Sequence, residues 1–162
     1  MKKLFYPVIA AVCLAASTSC EEKSVVTIVE DMMYFVDMET YEHTEGWLEP
    51  TTKLSVNPDS QVGLLVMRNY FVASNHHPDQ TVKIVVDEQQ STAAEGEDFS
   101  IDTHQIAFSG VDDLKKQLVL TVGPGAAGKT IVLKLDYEYY EQCKAESRKC
   151  DRLTVTVKAA GE

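Results

Sequence analysis

The sequence predicts an all-β fold, a sandwich of two sheets, and three features carry this prediction. Short segments alternate between apolar and polar residues with a period of two, as expected for strands that bury one face. Turn-forming runs such as Asn57-Pro58-Asp59-Ser60 separate these segments at intervals typical of short strands. No stretch has the sustained spacing of an amphipathic helix. We therefore expect seven or more antiparallel strands in two sheets packed face to face.

The stretch from Ser91 to Val122 shows this pattern most clearly. An acidic turn of small residues precedes Phe99, and two short alternating segments follow with a Ser-Gly turn between them. Residues 37–51 are acidic and predict an irregular segment, and Val25 to Val29 is either a tether or a first strand. The clearest strands are predicted over Met32 to Val36, Lys53 to Val56, Val62 to Phe71, Thr81 to Asp87, His104 to Phe108, Lys116 to Val122, Ile131 to Tyr140 and Arg152 to Lys158.

Length and charge limit the classes of function. The chain of 162 residues with a formal net charge of −10 is long enough for one domain with a substantial core. Binding to nucleic acid depends on Lys and Arg that displace counterions from phosphates, so this acidic balance argues against a nucleic-acid partner. It also argues against adsorption to anionic lipid headgroups. A soluble acidic surface is the simplest interpretation of the charge.

The first twenty residues resemble a bacterial lipoprotein signal. A basic start is followed by an apolar run from Leu4 to Ala16, too short to span a bilayer, and then by small residues before Cys20. Ser17 stands where such signals usually have Leu, a position that is less restricted in lipoproteins of the Bacteroidota type. The resemblance implies a signal peptide over residues 1–19, a lipidated cysteine with its tether over 20–30, and a single sandwich domain over 31–162.

The residues after Cys20 indicate the location of the domain. Glu21-Glu22-Lys23 resembles the acidic export signal of surface-exposed lipoproteins in that phylum. We therefore expect the protein in the cell envelope, anchored in the outer membrane through its lipid and exposed at the cell surface. The alternative is an ordinary secretory cleavage at the same place, which would leave Cys20 as a free thiol in an exported protein.

Two further cysteines, Cys143 and Cys150, predict a structural disulfide. Strand-like sequence flanks both, so a hairpin with a polar loop would bring them opposite each other. The envelope permits disulfides, and a bridge across so short a loop would add about 2 kcal/mol of stability. A metal site would need further ligands, and no other Cys or His lies nearby in the sequence.

One motif matches a nucleotide-binding pattern but lacks its context. The run Gly123-Pro124-Gly125-Ala126-Ala127-Gly128-Lys129-Thr130 fits G-x-x-x-x-G-K-[ST]. A phosphate-binding loop requires a helix that starts at the lysine, because the helix N-terminus faces the phosphate. Here the residues from Ile131 onward predict a strand, and Pro124 removes one backbone donor. We therefore interpret the run as a glycine-rich connection between strands and expect no nucleotide partner.

The central stretch resembles the Calx-beta type of immunoglobulin-like domain. The pattern T-A-x-x-G-x-D-[YF] is matched by Thr92-Ala93, Gly96, Asp98 and Phe99, and the later strand of the pattern by residues 117–122. The resemblance covers roughly residues 62–140. It implies an immunoglobulin-like sandwich. The same pattern recurs in Bacteroidota surface lipoproteins of glycan-uptake systems, whose function is uncharacterised.

The same resemblance raises the possibility of a calcium ion. In calcium-binding members, acidic residues converge at one end of the sandwich, and Asp98 falls on one acidic position with Glu95 and Glu97 close by. Calcium needs 6 to 8 oxygen ligands, so several carboxylates must meet. The family's second acidic run is replaced here by Gly123-Pro124-Gly125. The alternative is a solvated turn in which Asp98 accepts backbone hydrogen bonds.

The remaining candidates concern ligand binding. Tyr137 and Tyr139 share a face of their predicted strand, which suits either the edge of a core or, with Trp47, a platform for stacking sugars. No catalytic arrangement of residues has helpful spacing, and we expect no enzyme. The expected function is a non-catalytic binding or accessory module at the outer membrane, serving nutrient or glycan capture with outer-membrane proteins. A calcium-stabilised adhesion or structural module is the alternative.

Overall fold

The computed structural model describes residues 32–43, 48–69, 79–138, 148–159 and 161. The described part of the chain is an all-β sandwich, as predicted, with one short α-helix and a 3-10 turn at Pro124–Ala126. Its elements, in chain order, are β1 Met32–Asp37, α1 Met38–His43, β2 Lys53–Val56, β3 Ser60–Asn69, β4 Gln80–Val86, β5 Phe99–Ile101, β6 Gln105–Phe108, β7 Lys115–Val122, β8 Thr130–Asp136 and β9 Arg152–Val157.

The strands form two sheets. The four-stranded sheet has the order β1-β3-β7-β5, and the five-stranded sheet has the order β2-β9-β8-β4-β6. All neighbouring strands are antiparallel except β2 and β9, which run parallel from the pair Lys53 and Thr154 to the pair Val56 and Val157. The parallel pairing of β2 departs from the antiparallel arrangement of the other strands, which follows the prediction. No hairpin joins β2 to β9, so no turn dictates that their directions oppose.

The predicted alternation of apolar residues is what fills the space between the sheets. Leu118, Leu120 and Val122 of β7 are buried toward the partner sheet, whose β8 and β9 contribute their own alternate residues. Burial of one such side chain contributes about 1.5 to 3 kcal/mol, so this inward set is the main source of stability.

The segment after β1 departs from the prediction. Residues 38–43, expected to be irregular, form α1, which packs on the outer side of the four-stranded sheet. Gly63 of β3 makes room for it, since a Cβ there would lie 2.7 Å from the Sδ atom of Met38. This contact is between residues far apart in sequence, and the acidic composition of the segment does not reveal it.

A second apolar cluster covers part of the outer side of the four-stranded sheet. Because β1 is buried on both faces, its sequence is a continuous apolar run rather than an alternation. The cluster consists of Met32, Tyr34, Val36, Leu65 and Cys150, with Met38, Tyr41, Leu48 and Met67 packed against it.

The free edge of β1 is protected by hydrogen bonds from outside the sheet. The N–H group of Thr51 donates to the carbonyl of Phe35 at 2.7 Å, and the N–H group of Asp37 donates to Oγ1 of Thr51 at 3.0 Å. The N–H group of Met33 donates to the hydroxyl of Tyr137 at 2.8 Å. Exposed strand edges invite pairing with other chains, and these contacts remove donors and acceptors from that edge.

Candidate functional site

The acidic turn that precedes Phe99 folds around Asp98. Oδ2 of Asp98 accepts the N–H group of Ala94 at 2.9 Å, and the N–H group of Asp98 donates to the carbonyl of Ala94 at 2.9 Å. Gly96, with φ of +83°, adopts the left-handed conformation that this turn requires. Phe99 then enters the core as the first residue of β5. The turn chemistry proposed for Asp98 is thus present.

The glycine-rich run that matches the phosphate-loop pattern packs against the Asp98 carboxylate. Nζ of Lys129 lies 2.7 Å from Oδ1 and 2.8 Å from Oδ2 of Asp98. The N–H group of Gly123 donates to the carbonyl of Asp98 at 2.7 Å. A Cβ at Gly125 would lie 3.1 Å from Oδ1 of Asp98, so glycine allows the loop its close approach. The predicted strand after the run is β8.

Lys129 determines the electrostatics of this site. Asp98 is 7% exposed, and the hydrogen bond from Lys129, followed by that from the Ala94 backbone, holds the pKa of its carboxyl below the usual range. Both bonds favour the charged form, and they outweigh the opposing effect of burial. The carboxylate therefore has an internal counterion.

The three acidic residues proposed for calcium do not fit the ion. Asp98 is occupied by Lys129, whereas Oε1 of Glu95 lies 3.3 Å from Nε2 of His104 and Glu97 is exposed. Among the residues that the structure describes, no three His, Cys, Asp or Glu side chains are grouped for a metal. Calcium requires converging oxygens, and here a lysine ammonium occupies the position from which a cation would contact Asp98. The calcium site at Glu95, Glu97 and Asp98 therefore stays a prediction, and Lys129 competes with a cation for Asp98.

Tyr137 is not available as part of a sugar-stacking platform. It is 7% exposed, belongs to the main core, and bonds through its hydroxyl to the backbone of Met33. The alternative of a core edge is the correct one, because the hydroxyl satisfies a buried backbone donor. Tyr139 and Trp47 lie outside the described residues, so the platform has no described member on the surface.

The cysteine predictions fall mostly on undescribed parts of the chain. Cys20 and Cys143 lie outside the described residues, as does the whole signal segment 1–19. Cys150 is fully buried in the second apolar cluster, beside the rings and thioethers of β1. Burial, followed by the nearby Cys150, raises the pKa of the Tyr34 hydroxyl. The disulfide stays a prediction. In the described ranges no helix is long and apolar enough to cross a membrane.

The outer face of the five-stranded sheet carries charged side chains. Lys134 of β8 and Arg152 of β9 are paired in register and point outward, away from the buried Leu133, Leu135 and Leu153. Val85 of β4 is paired with Lys134 and is 42% exposed. This face contrasts with the outer side of β1, which the second apolar cluster covers.

Sequence reasoning identified the outward residues of single strands but not their assembly. The alternation already placed Lys134, Thr154 and Thr156 on polar faces. That β2 joins β9 is a contact between distant segments, and it has no local signal in the sequence. The juxtaposition of Lys53 with these residues therefore came only from the structure.

Comparison with known proteins supports the fold. No protein-family model matches the chain, and no curated protein sequence matches it. Among solved structures it is similar to the crystal structure of CBD12 from CALX1.2, with a TM-score of 0.50 and 14% sequence identity. The likeness covers 79% of this chain and 44% of the solved chain, so this chain spans less than half of that protein's length. The fold is Calx-beta-like, as the sequence resemblance implied.

Proposed function

We propose that the protein is a lipid-anchored, non-catalytic module of the cell envelope that binds its ligand on the outer face of the five-stranded sheet. The observation that carries this proposal is the difference between the two sheets. One covers part of its outer side with α1 and the second apolar cluster, whereas the other presents charged residues and Val85 to solvent.

The sequence before the sandwich supports the anchor. Cys20 follows an apolar segment of signal-peptide length, and β1 starts at Met32. A fully extended tether between these two residues would reach at most roughly 40 Å. That length lets a sandwich stand clear of the bilayer surface while the anchor keeps it at the outer membrane. We infer a surface-exposed role in nutrient or glycan capture, together with outer-membrane proteins.

The calcium-stabilised adhesion module is the weaker candidate. Its best ligand, Asp98, already has Lys129 as a bidentate partner. The Calx-beta-like fold fits a binding or a structural module equally well. The free sheet face favours binding.

The anchor is tested by Cys20→Ser in the producing bacterium. We expect the wild-type chain in the outer-membrane fraction and the variant in the soluble fraction, with a diacylglycerol mass on the mature wild-type N-terminus. Protease added to intact cells should digest the wild-type domain. A variant that stays in the membrane fraction would contradict lipid anchoring through Cys20.

The binding face is tested on a soluble form that starts after Cys20, which retains every described element. We expect it to bind on an array of bacterial and plant glycans, and Val85→Asn to lose that signal. Val119→Asn is the matched control, since Val119 points outward from β7 on the other sheet. Thermal melts must show that both variants fold. Equal loss in both variants would contradict the assignment of the face.

A further inference from the structure

We propose that a groove at the end of this face binds an acidic polysaccharide, a chain of sugars that carry carboxylate or sulfate groups. The proposal rests on the proposed function, because it names the ligand class of the same face. The groove has a volume of about 480 Å³. Its cationic lining consists of Lys53, Lys134, Arg148, Lys149 and Arg152.

The fold brings these cations together from distant parts of the chain. Lys134 of β8 stands opposite Arg152 of β9, and the parallel pairing of β2 with β9 adds Lys53 at the next outward position, beside Thr154. Arg148 and Lys149 come from the turn that precedes β9. The tertiary fold thus adds Lys53 and Lys134 to the local basic stretch Arg148 to Arg152.

The concentration of positive charge is unusual for this protein. The chain has 15 Lys and Arg against 25 Asp and Glu, yet among the residues that the structure describes five cations and one carboxylate line this groove. That carboxylate, Asp151, is 4% exposed. Arg152 is anchored from the side by Asp87, with Nη1 to Oδ2 at 3.2 Å. An anionic ligand in the groove could accept charge-assisted hydrogen bonds from Lys53 and Lys134.

The surroundings of the groove favour an acidic sugar chain over other anions. The net charge of −10 repels dense polyanions and anionic bilayers at long range, so nucleic acid and lipid headgroups are poor partners. A polysaccharide offers hydroxyls between its charged groups. Thr52 and Thr154 line the groove and provide hydroxyls for hydrogen bonds. Val85, in register with Lys134, adds apolar surface against which the C–H side of a sugar ring can pack.

The size of the groove agrees with a short segment of such a chain. Ligand sites commonly have volumes of about 300 to 1,000 Å³, and the groove falls in that range. Charge-assisted hydrogen bonds from lysine and arginine give specificity for carboxylate or sulfate.

The test measures binding of fluorescent oligogalacturonate, sulfated dextran and uncharged dextran to the soluble form by anisotropy. The double variant Lys53→Gln/Lys134→Gln removes two groove cations. The double variant Lys116→Gln/Lys158→Gln removes the same charge elsewhere, since neither lysine lines the groove. We expect binding of at least one charged glycan, weakened roughly tenfold or more by the groove variant and less than twofold by the control. Binding should also weaken as salt is raised.

Several outcomes would overturn the inference. Equal affinity for uncharged dextran would remove the role of charge, and equal weakening by both double variants would remove the role of the groove. Stronger binding to single-stranded DNA or to phosphatidylglycerol vesicles than to either charged glycan would assign the groove to another partner. If neutral glycans bind and Val85→Asn abolishes that binding, the proposed function stands and the acidic ligand is wrong. If no glycan binds at all, both fail.

Discussion

Tyr137→Phe tests whether this ring is a structural element of the sandwich rather than a contact for sugar. The substitution removes only the hydroxyl, so the packing of the ring in the core is retained. In the native protein that hydroxyl accepts the N–H group of Met33 at 2.8 Å and donates to its carbonyl at 3.5 Å. Met33 is fully buried, and the N–H group is on the edge of β1 that faces away from β3.

The expected loss of unfolding free energy follows from the N–H group of Met33, which Tyr137→Phe leaves without its acceptor. A buried donor without an acceptor costs about 1 to 3 kcal/mol. For a domain of this size, each kcal/mol lowers the thermal midpoint by roughly 3 to 5 °C. We therefore expect Tyr137→Phe to lower the midpoint by roughly 3 to 15 °C, with a matching loss of unfolding free energy in urea and an unchanged m-value.

The control is Tyr41→Phe, which removes a hydroxyl contacted by Nζ of Lys115 at 2.6 Å in an exposed setting. Its cost should stay below about 0.5 kcal/mol, because water replaces the lost partner. Glycan binding should be unaffected by Tyr137→Phe when the protein is folded. A change in stability no larger than that of the control would refute the reasoning, since the Met33 donor would then have no need of Tyr137.

Three further predictions concern Asp98 and Gly63. Millimolar calcium should leave the melting midpoint equal to that in EDTA, and Lys129→Met should lower the midpoint in both; a calcium shift in the wild type would contradict the internal counterion. The pKa of Asp98 is lower in the folded than in the unfolded protein, so its contribution to stability is full above the ordinary pKa and is lost as the pH falls below about 4. Urea melts from pH 7 to pH 2 should show that the unfolding free energy falls at acid pH, and Asp98→Asn should reduce this fall. An equal fall in the wild type and the variant would contradict the contribution of Asp98. Gly63→Val should cost about 1 to 3 kcal/mol through its collision with Met38, and Met38→Ala in the same chain should recover part of that loss. An additive double variant would show that the two residues do not compete for this space.

The local sequence determined the strands, because alternating apolar and polar residues set which side chains of each strand are buried. Val82 and Ile84 of β4, or Leu153 and Val155 of β9, must face a core if any strand forms there, whichever sheet receives them. The turn at Gly96 and Asp98 is likewise local, since the carboxylate bonds to a backbone four residues away. Both were predicted from the residues themselves.

Contacts between distant segments were decided only by the tertiary structure. Lys129 lies 31 residues from Asp98, and Tyr137 lies 104 residues from Met33. A sequence pattern shows that Tyr137 has a preferred side, but not whether that side meets solvent or the edge of β1. Likewise, the residues of the glycine-rich run match the pattern of a phosphate-binding loop. The run lies against the Asp98 carboxylate instead, and the element that follows it is strand β8 rather than the helix that a phosphate loop requires.

The cationic groove likewise depends on contacts between distant segments of the chain. Lys53 and Lys134 occur singly in β2 and β8, far in sequence from the basic stretch Arg148 to Arg152. They form a groove only because β2 pairs parallel to β9, a choice that depends on the path from β1 to the opposite sheet. The sequence by itself thus determined the sandwich, its strands and the turn at Asp98. The pairing of strands β2, β9 and β8 decided where the positive charges meet, because electrostatic sites depend on distances that no local sequence pattern encodes.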